Sequence, residues 1–471
     1  MSSPANRTYD LTSGSLSAHF RRLAVPAAIG MVFNTLYNVV DTFYAGRIST
    51  EAQAAMAIAF QAFFLLNAVG FGLAAAMGAL VGNAAGQRDG EGARRFAAQG
   101  LGYAALACVV LWGVGSVVGP ALIRLISAPG GYREAAFLYF GVQMLALPGF
   151  VVGFAANGIL RAQGDTVSQQ RALIVAFFAN IGLNPLFIYG VPGLVPALGL
   201  NGIAVATAVS QTGVMAYLLF RVNRTEVGRA LRLPELRPRI NPYRQITAQA
   251  LPTAFTMLVL FVTGFVVQYY LKNFGDAAVA AYGVALRVEQ LFLLPVFGLT
   301  TALLPITAQN FGAGEPDRVR SALFTCWKYG WIFMAVACPI LWVAGRPILS
   351  LFTNDPEVLR IGASYLRVDG VILPAYMMLF AINAFLQGLK KPVWSLWIGL
   401  YRQAFAVAFF AWVFVQGFGL GIWGVWFGIA TAVVTGLLLA LFVTHRVATR
   451  LLGGFWRPPA PPRMAEAGGQ G

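Results

Sequence analysis

Apolar residues fill most of this chain in long, nearly uninterrupted segments that short polar connections separate. Each segment is long enough for the roughly 20-residue helix that a bilayer requires. The short alternating segments of a transmembrane β-barrel are a different pattern. The segments predict twelve membrane-spanning helices, over residues 20–46, 52–86, 94–118, 134–160, 168–190, 199–221, 244–272, 278–311, 319–345, 357–388, 393–416 and 422–445.

The second half of the chain repeats the first at a constant spacing. Pro26 recurs as Pro252 and Asn157 as Asn383, and five further pairs share this same offset. Six spans per half give both halves the same orientation, so the repeat is parallel. The predicted fold class is therefore an all-α polytopic membrane protein with twelve transmembrane helices in two six-helix bundles.

This pattern divides the chain into five predicted parts. They are a cytoplasmic N-terminal segment (1–19), an N-lobe (20–221), a basic cytoplasmic linker (222–243), a C-lobe (244–447) and a disordered C-terminal tail (448–471).

Composition narrows the class of protein. Hydrophobic residues make up 58% of the 471 residues and charged residues only 11%, so a soluble enzyme or a disordered chain is excluded. No glycine-rich nucleotide-binding loop is present, and nothing predicts a cofactor or an enzymatic reaction. Two lobes with a cleft between them are instead typical of a transporter, whose energy would come from an ion gradient.

The net charge of +16 raises the question of nucleic-acid binding, but the positions of the charges answer it. Seven arginines lie from Arg221 to Arg244, that is, in the predicted linker and at its two edges. This bias follows the positive-inside rule and places both termini in the cytoplasm. We therefore expect a multi-pass protein of the cytoplasmic (inner) membrane, with the lipid bilayer rather than nucleic acid as its surroundings.

Three acidic residues lie well inside predicted spans: Asp41, Glu289 and Asp369. An ionisable group there is costly, so each is a functional hypothesis. Glu289 lies two residues from Arg287, which makes a structural ion pair an alternative. Arg402 also lies within a span and is interpreted as an anchor for a carboxylate or carbonyl. Glu289, Asp369 and Arg402 are the C-lobe candidates.

Polar residues concentrate around Asp41. Asn34 and Asn38 precede it at helical spacing, which predicts one polar face on the first helix. The fifth span contributes Asn180 and Asn184, again four residues apart. The predicted cation-coupling residues are Asp41, Asn180, Asn184 and Thr207, because their oxygens suit small hard cations.

Further residues are predicted to support this site or line a substrate cleft: Asn34, Asn38, Tyr37 and Asn157. Ordinary interhelical hydrogen bonding is the alternative role for intramembrane Asn and Thr. Pro26 is predicted to allow a kink in the first helix. The repeat places Val267 opposite Asp41 and Ala406 opposite Asn180, so the site belongs to the N-lobe alone.

These residues resemble the multidrug and toxic compound extrusion (MATE) family, nearest its DinF-like and MepA-like types. The segment from Asn34 to Gly46 resembles that family's first helix. Gly82-Asn-Ala-Ala-Gly86 and the glutamine-led segment from Gln309 to Gly314 resemble its paired second- and eighth-helix endings. The resemblance covers roughly residues 18–447.

The resemblance implies a monomeric antiporter that exports amphipathic, often cationic, small molecules in exchange for a cation. It also implies that Asp41, Asn180 and Thr207 match the family's N-lobe cation site. Asn184 is a departure, because the related pattern is commonly Asn-x-x-x-Asp-Pro. One carboxylate in place of two favours a proton over sodium, and no other metal is expected.

Three other classes stay open at this stage. A lipid-linked precursor flippase of the same superfamily would need a cationic cavity, for which Arg287 and Arg402 are the chief candidates. A major-facilitator carrier also has two parallel six-helix halves. A channel or scaffold without transport is the third, and the two-lobe repeat argues against it.

Overall fold

A computed structural model describes residues 10–229 and 233–456. Within these residues the regular structure is helical, apart from one isolated β-bridge between Val191 and Val195. Twelve helices in the described part of the chain are long and apolar enough to cross a membrane, as predicted. They are α1 (Leu16–Ile48), α2 (Thr50–Gly86), α3 (Gly90–Ile126), α4 (Gly131–Ala162), α5 (Val167–Tyr189), α6 (Leu200–Asn223), α7 (Ile240–Phe274), α8 (Asp276–Gly312), α9 (Pro316–Leu349), α10 (Pro356–Gly388), α11 (Pro392–Gly417) and α12 (Ile422–Leu452).

Two of these helices contain irregular turns in their interior, and α7 ends in a 3₁₀ turn at Lys272–Phe274. In α4 a 3₁₀ turn at Met144–Ala146 precedes Pro148, which cannot donate a backbone hydrogen bond. In α11 the backbone widens into π-helix at Tyr401–Ala406 and again at Val413–Gly417. Such π-turns are rare and often occur at functional sites.

The predicted boundary between the C-lobe and the C-terminal tail is wrong. Helix α12 continues to Leu452, so the predicted disordered tail over 448–471 begins too early. Phe455 is only 1% exposed and packs against Phe324 and Trp327, which explains why the chain stays ordered past the helix. Residues 457–471 lie outside the described residues.

Each lobe has its own hydrophobic core, and the first helix of each lobe takes part in both. The start of α1 packs in the C-lobe core through Phe20 and Leu23, whereas Tyr37 near its other end packs in the N-lobe core. Helix α7 does the reverse, with Ile246 in the N-lobe core and Val267 in the C-lobe core. The lobes are therefore interlocked by α1 and α7.

Glycines permit this interlock at two positions that the repeat relates. A Cβ atom on Gly72 of α2 would meet the carbonyl oxygen of Ala250 on α7. A Cβ atom on Gly298 of α8 would meet the carbonyl oxygen of Ala24 on α1, 2.7 Å away. The two glycines, and likewise the two alanines, are separated by the offset of the repeat, so the sequence repeat is also a repeat of packing.

The linker joins the lobes at one end of the bundle, which we call the linker end. The opposite end, where α2 begins at Thr50 and α8 begins at Asp276, we call the open end, because the close contacts between α2 and α8 lie towards the linker end. Helix α6 continues to Asn223 and α7 begins at Ile240, so the described linker is shorter than the predicted 222–243. A short helix at Glu226–Arg229 and a 3₁₀ turn at Leu233–Leu236 lie between them.

Gln99 of α3 fixes the linker in place. Its side-chain nitrogen donates to the carbonyl of Arg237 at 2.8 Å, and its oxygen accepts the Arg239 amide at 2.9 Å. The segment that leads into the C-lobe is therefore held by the N-lobe.

Candidate functional site: a buried carboxylate between α1, α5 and α6

Asp41 is the centre of the N-lobe site. Its side chain is 8% exposed, and its two oxygens accept hydrogen bonds from two other helices. Asn184 Nδ2 on α5 donates to Oδ1 at 2.9 Å, and Thr207 Oγ1 on α6 donates to Oδ2 at 3.2 Å. None of the ion pairs found among the described residues involves Asp41. Neutral donors therefore surround this buried acid.

The asparagines of α5 extend the network. Asn184 Nδ2 also donates to Asn180 Oδ1 at 3.0 Å, because residues four apart share one face of a helix. Both side chains are fully buried. Asn184 Oδ1 and Asn180 Nδ2 have no hydrogen-bond partner within the described structure. Buried amide atoms without partners are uncommon, and such atoms mark this network as a candidate functional site.

Tyr37 belongs to the site. It lies one turn before Asp41, is buried, and donates from its hydroxyl to Thr207 Oγ1 at 3.3 Å. Ser210, one turn beyond Thr207, lies near the Tyr37 hydroxyl, although its own buried hydroxyl has no hydrogen-bond partner within the described structure. The structure thus brings Tyr37 together with the four predicted coupling residues.

The other predicted residues of α1 lie elsewhere. Asn34 and Asn38 are exposed, and Asn38 Nδ2 donates to the Asn34 carbonyl at 2.7 Å within the helix. Tyr37 and Asp41, rather than Asn34 and Asn38, form the face that meets α5 and α6. Exposed amides within an apolar helix are better suited to a water-filled cleft than to lipid.

Asn157 and Pro26 also lie apart from the carboxylate. Asn157 is buried in α4, and its side-chain oxygen has no partner within the described structure. Its repeat partner Asn383 has the same unpartnered oxygen. Pro26 lies inside α1, which remains helical on both sides of it. The kink at this residue stays a prediction.

The C-lobe contains a different acidic cluster. Glu289 Oε2 of α8 accepts a hydrogen bond from the Tyr365 hydroxyl of α10 at 2.7 Å. Asp369 lies one turn after Tyr365, is fully buried, and has no hydrogen-bond partner on either oxygen within the described structure. The suggested Glu289–Arg287 ion pair is wrong: Arg287 is exposed, because residues two apart on a helix do not face each other.

Arg402 supplies positive charge near this cluster. Its guanidinium lies over the ring of Tyr376, 5.3 Å from the centroid, and its side chain is 7% exposed. The π-helical turn at Tyr401–Ala406 carries it, and Gly436 of α12 leaves room, since a Cβ there would come within 2.8 Å of Arg402 Cγ. The backbone of α11 and the packing of α12 therefore direct this cation into the C-lobe.

Sequence reasoning missed Tyr139, Ser210 and Tyr365. Tyr139 and Tyr365 are a repeat pair, and each lies fully buried beside the acids of its own lobe. The constant offset between the two halves could have identified this tyrosine pair. Ser210 could have been found by its helical spacing from Thr207.

Twelve membrane-crossing helices, two repeated lobes and a buried polar network define a transporter rather than an enzyme. The chain belongs to the MatE family, whose model matches residues 26–186 and 252–413. The two matches begin at Pro26 and Pro252, which are a repeat pair, so the family pattern occurs once per lobe.

Relatives and solved structures agree with this family. An FAD transporter of Shewanella oneidensis is 29% identical over 84% of this chain and 87% of its own length. A probable multidrug resistance protein of Bacillus subtilis, YoeA, is 28% identical over 82% and 90%. The structure also resembles an outward-facing multidrug resistance MATE transporter, with a TM-score of 0.85 and 25% identity over 94% of this chain and 98% of that one.

Proposed function

We propose that this protein exports amphipathic small molecules in exchange for protons, with Asp41 as the proton carrier. The observation that supports this proposal is a single buried carboxylate held by neutral donors from two other helices. Burial penalises the charged carboxylate, whereas the Asn184 and Thr207 hydrogen bonds favour it. Opposed effects of this kind let a carboxylate both accept and release a proton during a cycle.

The orientation of Asn184 favours a proton over sodium. Its amide nitrogen lies between Asp41 Oδ1 and Asn180 Oδ1, the two oxygens that a cation would have to bind. Sodium is a hard cation that prefers oxygen ligands, and a nitrogen donor there opposes it. A proton on Asp41 needs no such ligand set.

The distribution of charge supports the orientation in the membrane. The arginine-rich linker, the start of α1 and the end of α12 all lie at the linker end, which we assign to the cytoplasm. Hydrogen bonds between the lobes also lie towards this end, such as Arg161 Nη2 to the Thr301 carbonyl at 2.9 Å. With the linker end in the cytoplasm, we infer the outward-facing state of an inner-membrane transporter.

The cycle follows from these assignments. Facing outward, Asp41 takes up a proton and substrate is released; facing inward, Asp41 loses the proton to the cytoplasm and substrate binds. One proton moving down one pH unit provides about 1.4 kcal/mol, and a potential of about 100 mV provides about 2.3 kcal/mol. Together these support roughly a 500-fold gradient of a neutral substrate. Because one chain contains both lobes, we propose that the monomer is the working unit.

Efflux of a cationic dye from proteoliposomes tests the coupling ion. Dye release should follow an imposed pH gradient and should not respond to an imposed sodium gradient of the same size. Sodium-driven release without any effect of pH would overturn the proposal.

The Shewanella relative supports a second candidate substrate, a flavin dinucleotide, because that relative is an FAD transporter. Adding FAD to the same vesicles distinguishes a flavin dinucleotide from a cationic drug as the substrate. Competition by FAD, together with uptake of labelled FAD, would support the dinucleotide over a cationic drug. Unaltered dye efflux at saturating FAD would exclude it.

A further inference from the structure

Two side-chain amides connect the lobes at the linker end, and the repeat relates them. Asn83 Nδ2 of α2 donates to the carbonyl of Gly388, the last residue of α10, at 3.1 Å. Gln309 Nε2 of α8 donates to the carbonyl of Ala162, the last residue of α4, at 2.7 Å. The two donors, and likewise the two acceptors, are separated by the offset of the repeat. Each bond joins one lobe to the other, so the pair is a two-fold related contact.

Close packing of α2 against α8 makes these bonds possible. A Cβ on Gly86 would meet the Gln309 carbonyl oxygen, and a Cβ on Gly312 would meet that of Asn83. One turn earlier, Gly82 lies against the Ala308 methyl group, 3.0 Å from a Cβ built on the glycine. Small residues at this spacing are typical of helices that approach closely in membranes.

The segment before α1 binds one of the two amides. The backbone N–H of Leu11 donates to Gln309 Oε1 at 2.9 Å, and Asn310 Nδ2 donates to the Leu11 carbonyl at 3.1 Å. Arg318 Nη1 donates to the Gly14 carbonyl at 3.1 Å. The Leu11 side chain is fully buried. We call residues 10–14 the strap, because they lead into the N-lobe yet lie on the C-lobe.

We propose that Asn83 and Gln309 form an amide clasp that holds the lobes together at the linker end and must release before the cleft opens there. The strap locks the clasp through Gln309, whose oxygen it occupies. This inference rests on the alternating access of the proposed function, but it does not depend on which ion drives the cycle. It assigns a gating role to two residues outside the Asp41 site.

If Asn83 and Gln309 served folding alone, their removal would not change the balance between the two states of the transporter. Loss of a fold-stabilising bond lowers stability in every state, whereas loss of the clasp penalises only the state in which the linker end is closed. The ratio between the two states therefore distinguishes the two roles.

Spin labels at the open end measure this ratio. Thr50 and Asp276 begin α2 and α8, are both exposed, and are themselves a repeat pair. They are replaced by cysteine and labelled in full-length protein in which the three native cysteines are replaced by alanine. The distance between the labels is long when the open end is open and short when it closes.

Asn83→Ala and the nearly isosteric Gln309→Met should each raise the short-distance population about fivefold relative to the long one, the typical effect of one hydrogen bond. The double variant should raise it by about the product of the two. Arg318→Ala frees the strap at the surface, leaves the core intact, and should produce a smaller rise.

Gln163→Ala is the matched control. Gln163 is a buried amide at the same end, but it donates to Ile159 within its own lobe, at 3.1 Å. An unchanged distance distribution in Gln309→Met, Asn83→Ala and Arg318→Ala would overturn the clasp, as would an equal shift in Gln163→Ala. The measurement uses neither gradient nor substrate, so failure of proton coupling at Asp41 would leave its outcome unaffected.

Discussion

The two lobes share the same arrangement of six helices but differ in the buried polar residues that these helices contain. In the N-lobe one carboxylate, Asp41, is held by neutral amide and hydroxyl donors. In the C-lobe two carboxylates, Glu289 and Asp369, lie near each other, and the cation Arg402 lies near Glu289. The repeat places buried Val267 where Asp41 would be. A repeated fold therefore fixes where helices pack, while the buried polar residues can diverge completely.

This difference suggests a division of labour. The Asp41 network offers donors that a proton would rearrange, and its amides have unpartnered atoms. The C-lobe cluster instead combines opposite charges inside a packed core beside a π-helical turn. We expect substitutions in the N-lobe to affect coupling, and those in the C-lobe to affect stability.

The largest expected effect is that of Asp41→Asn. Asparagine keeps the size of the side chain but cannot carry a titratable proton, so pH-driven dye efflux from proteoliposomes should stop. Asp369→Asn makes the same substitution at a buried acid of the C-lobe. This control variant should retain most of the efflux. Loss of efflux in the control with normal efflux in Asp41→Asn would reverse the assignment of the lobes.

Asn184→Asp should change the coupling ion. It replaces the amide nitrogen beside Asp41 with oxygen and adds a second negative charge, both of which favour sodium. We expect sodium-driven efflux to rise about tenfold, measured with an imposed sodium gradient at constant pH, as a gain of about 1.4 kcal/mol in sodium binding would give. Asn157→Asp, a buried asparagine of α4, is the comparison, and an equal rise there would show that the effect is not specific to the site.

Arg402→Met should destabilise the C-lobe. The substitution removes the buried cation that lies over the Tyr376 ring, and a desolvated cation–π contact is typically worth about 2 kcal/mol or more. The midpoint of thermal unfolding in detergent should fall. Arg287→Met removes an exposed arginine from α8 and should leave the midpoint unchanged. Equal midpoints for the two variants would show that Arg402 has no such role.

The smallest effects come from the tyrosines of the two lobes. Tyr365→Phe removes a 2.7 Å hydrogen bond to a carboxyl group and should cost about 2 kcal/mol of stability. Tyr37→Phe removes a 3.3 Å bond to a hydroxyl and should cost about 0.5 kcal/mol. Chemical denaturation of both variants tests the order, and a larger loss for Tyr37→Phe would contradict it.

The twelve helices and the two-lobe repeat could be predicted from the sequence. Membrane spans follow from local composition, and the repeat follows from a constant offset. Asp41, Asn180, Asn184 and Thr207 also meet as predicted, since few polar groups within apolar helices can pair. The partner of Glu289 could not be predicted, because Tyr365 lies 76 residues away on another helix.

Helical spacing also left one choice undecided. It placed Asn34 and Asn38 on a polar face, but it could not determine which face of α1 would turn towards α5 and α6. Packing of Tyr37 against Thr207 decides that rotation. The π-helical turns of α11 likewise depend on tertiary contacts, such as the space at Gly436, that local propensity does not encode.

The strap has a consequence for biogenesis. Leu11 leaves the ribosome early, yet its partner Gln309 is 298 residues further along the chain. At typical synthesis rates, about 15 to 60 seconds separate the two. During this interval the start of α1 lacks the C-lobe surface on which it packs. The N-lobe is inserted first, but its strap can bind only after the C-lobe has been made. A nascent chain that stops after six helices therefore has a strap without its C-lobe partner.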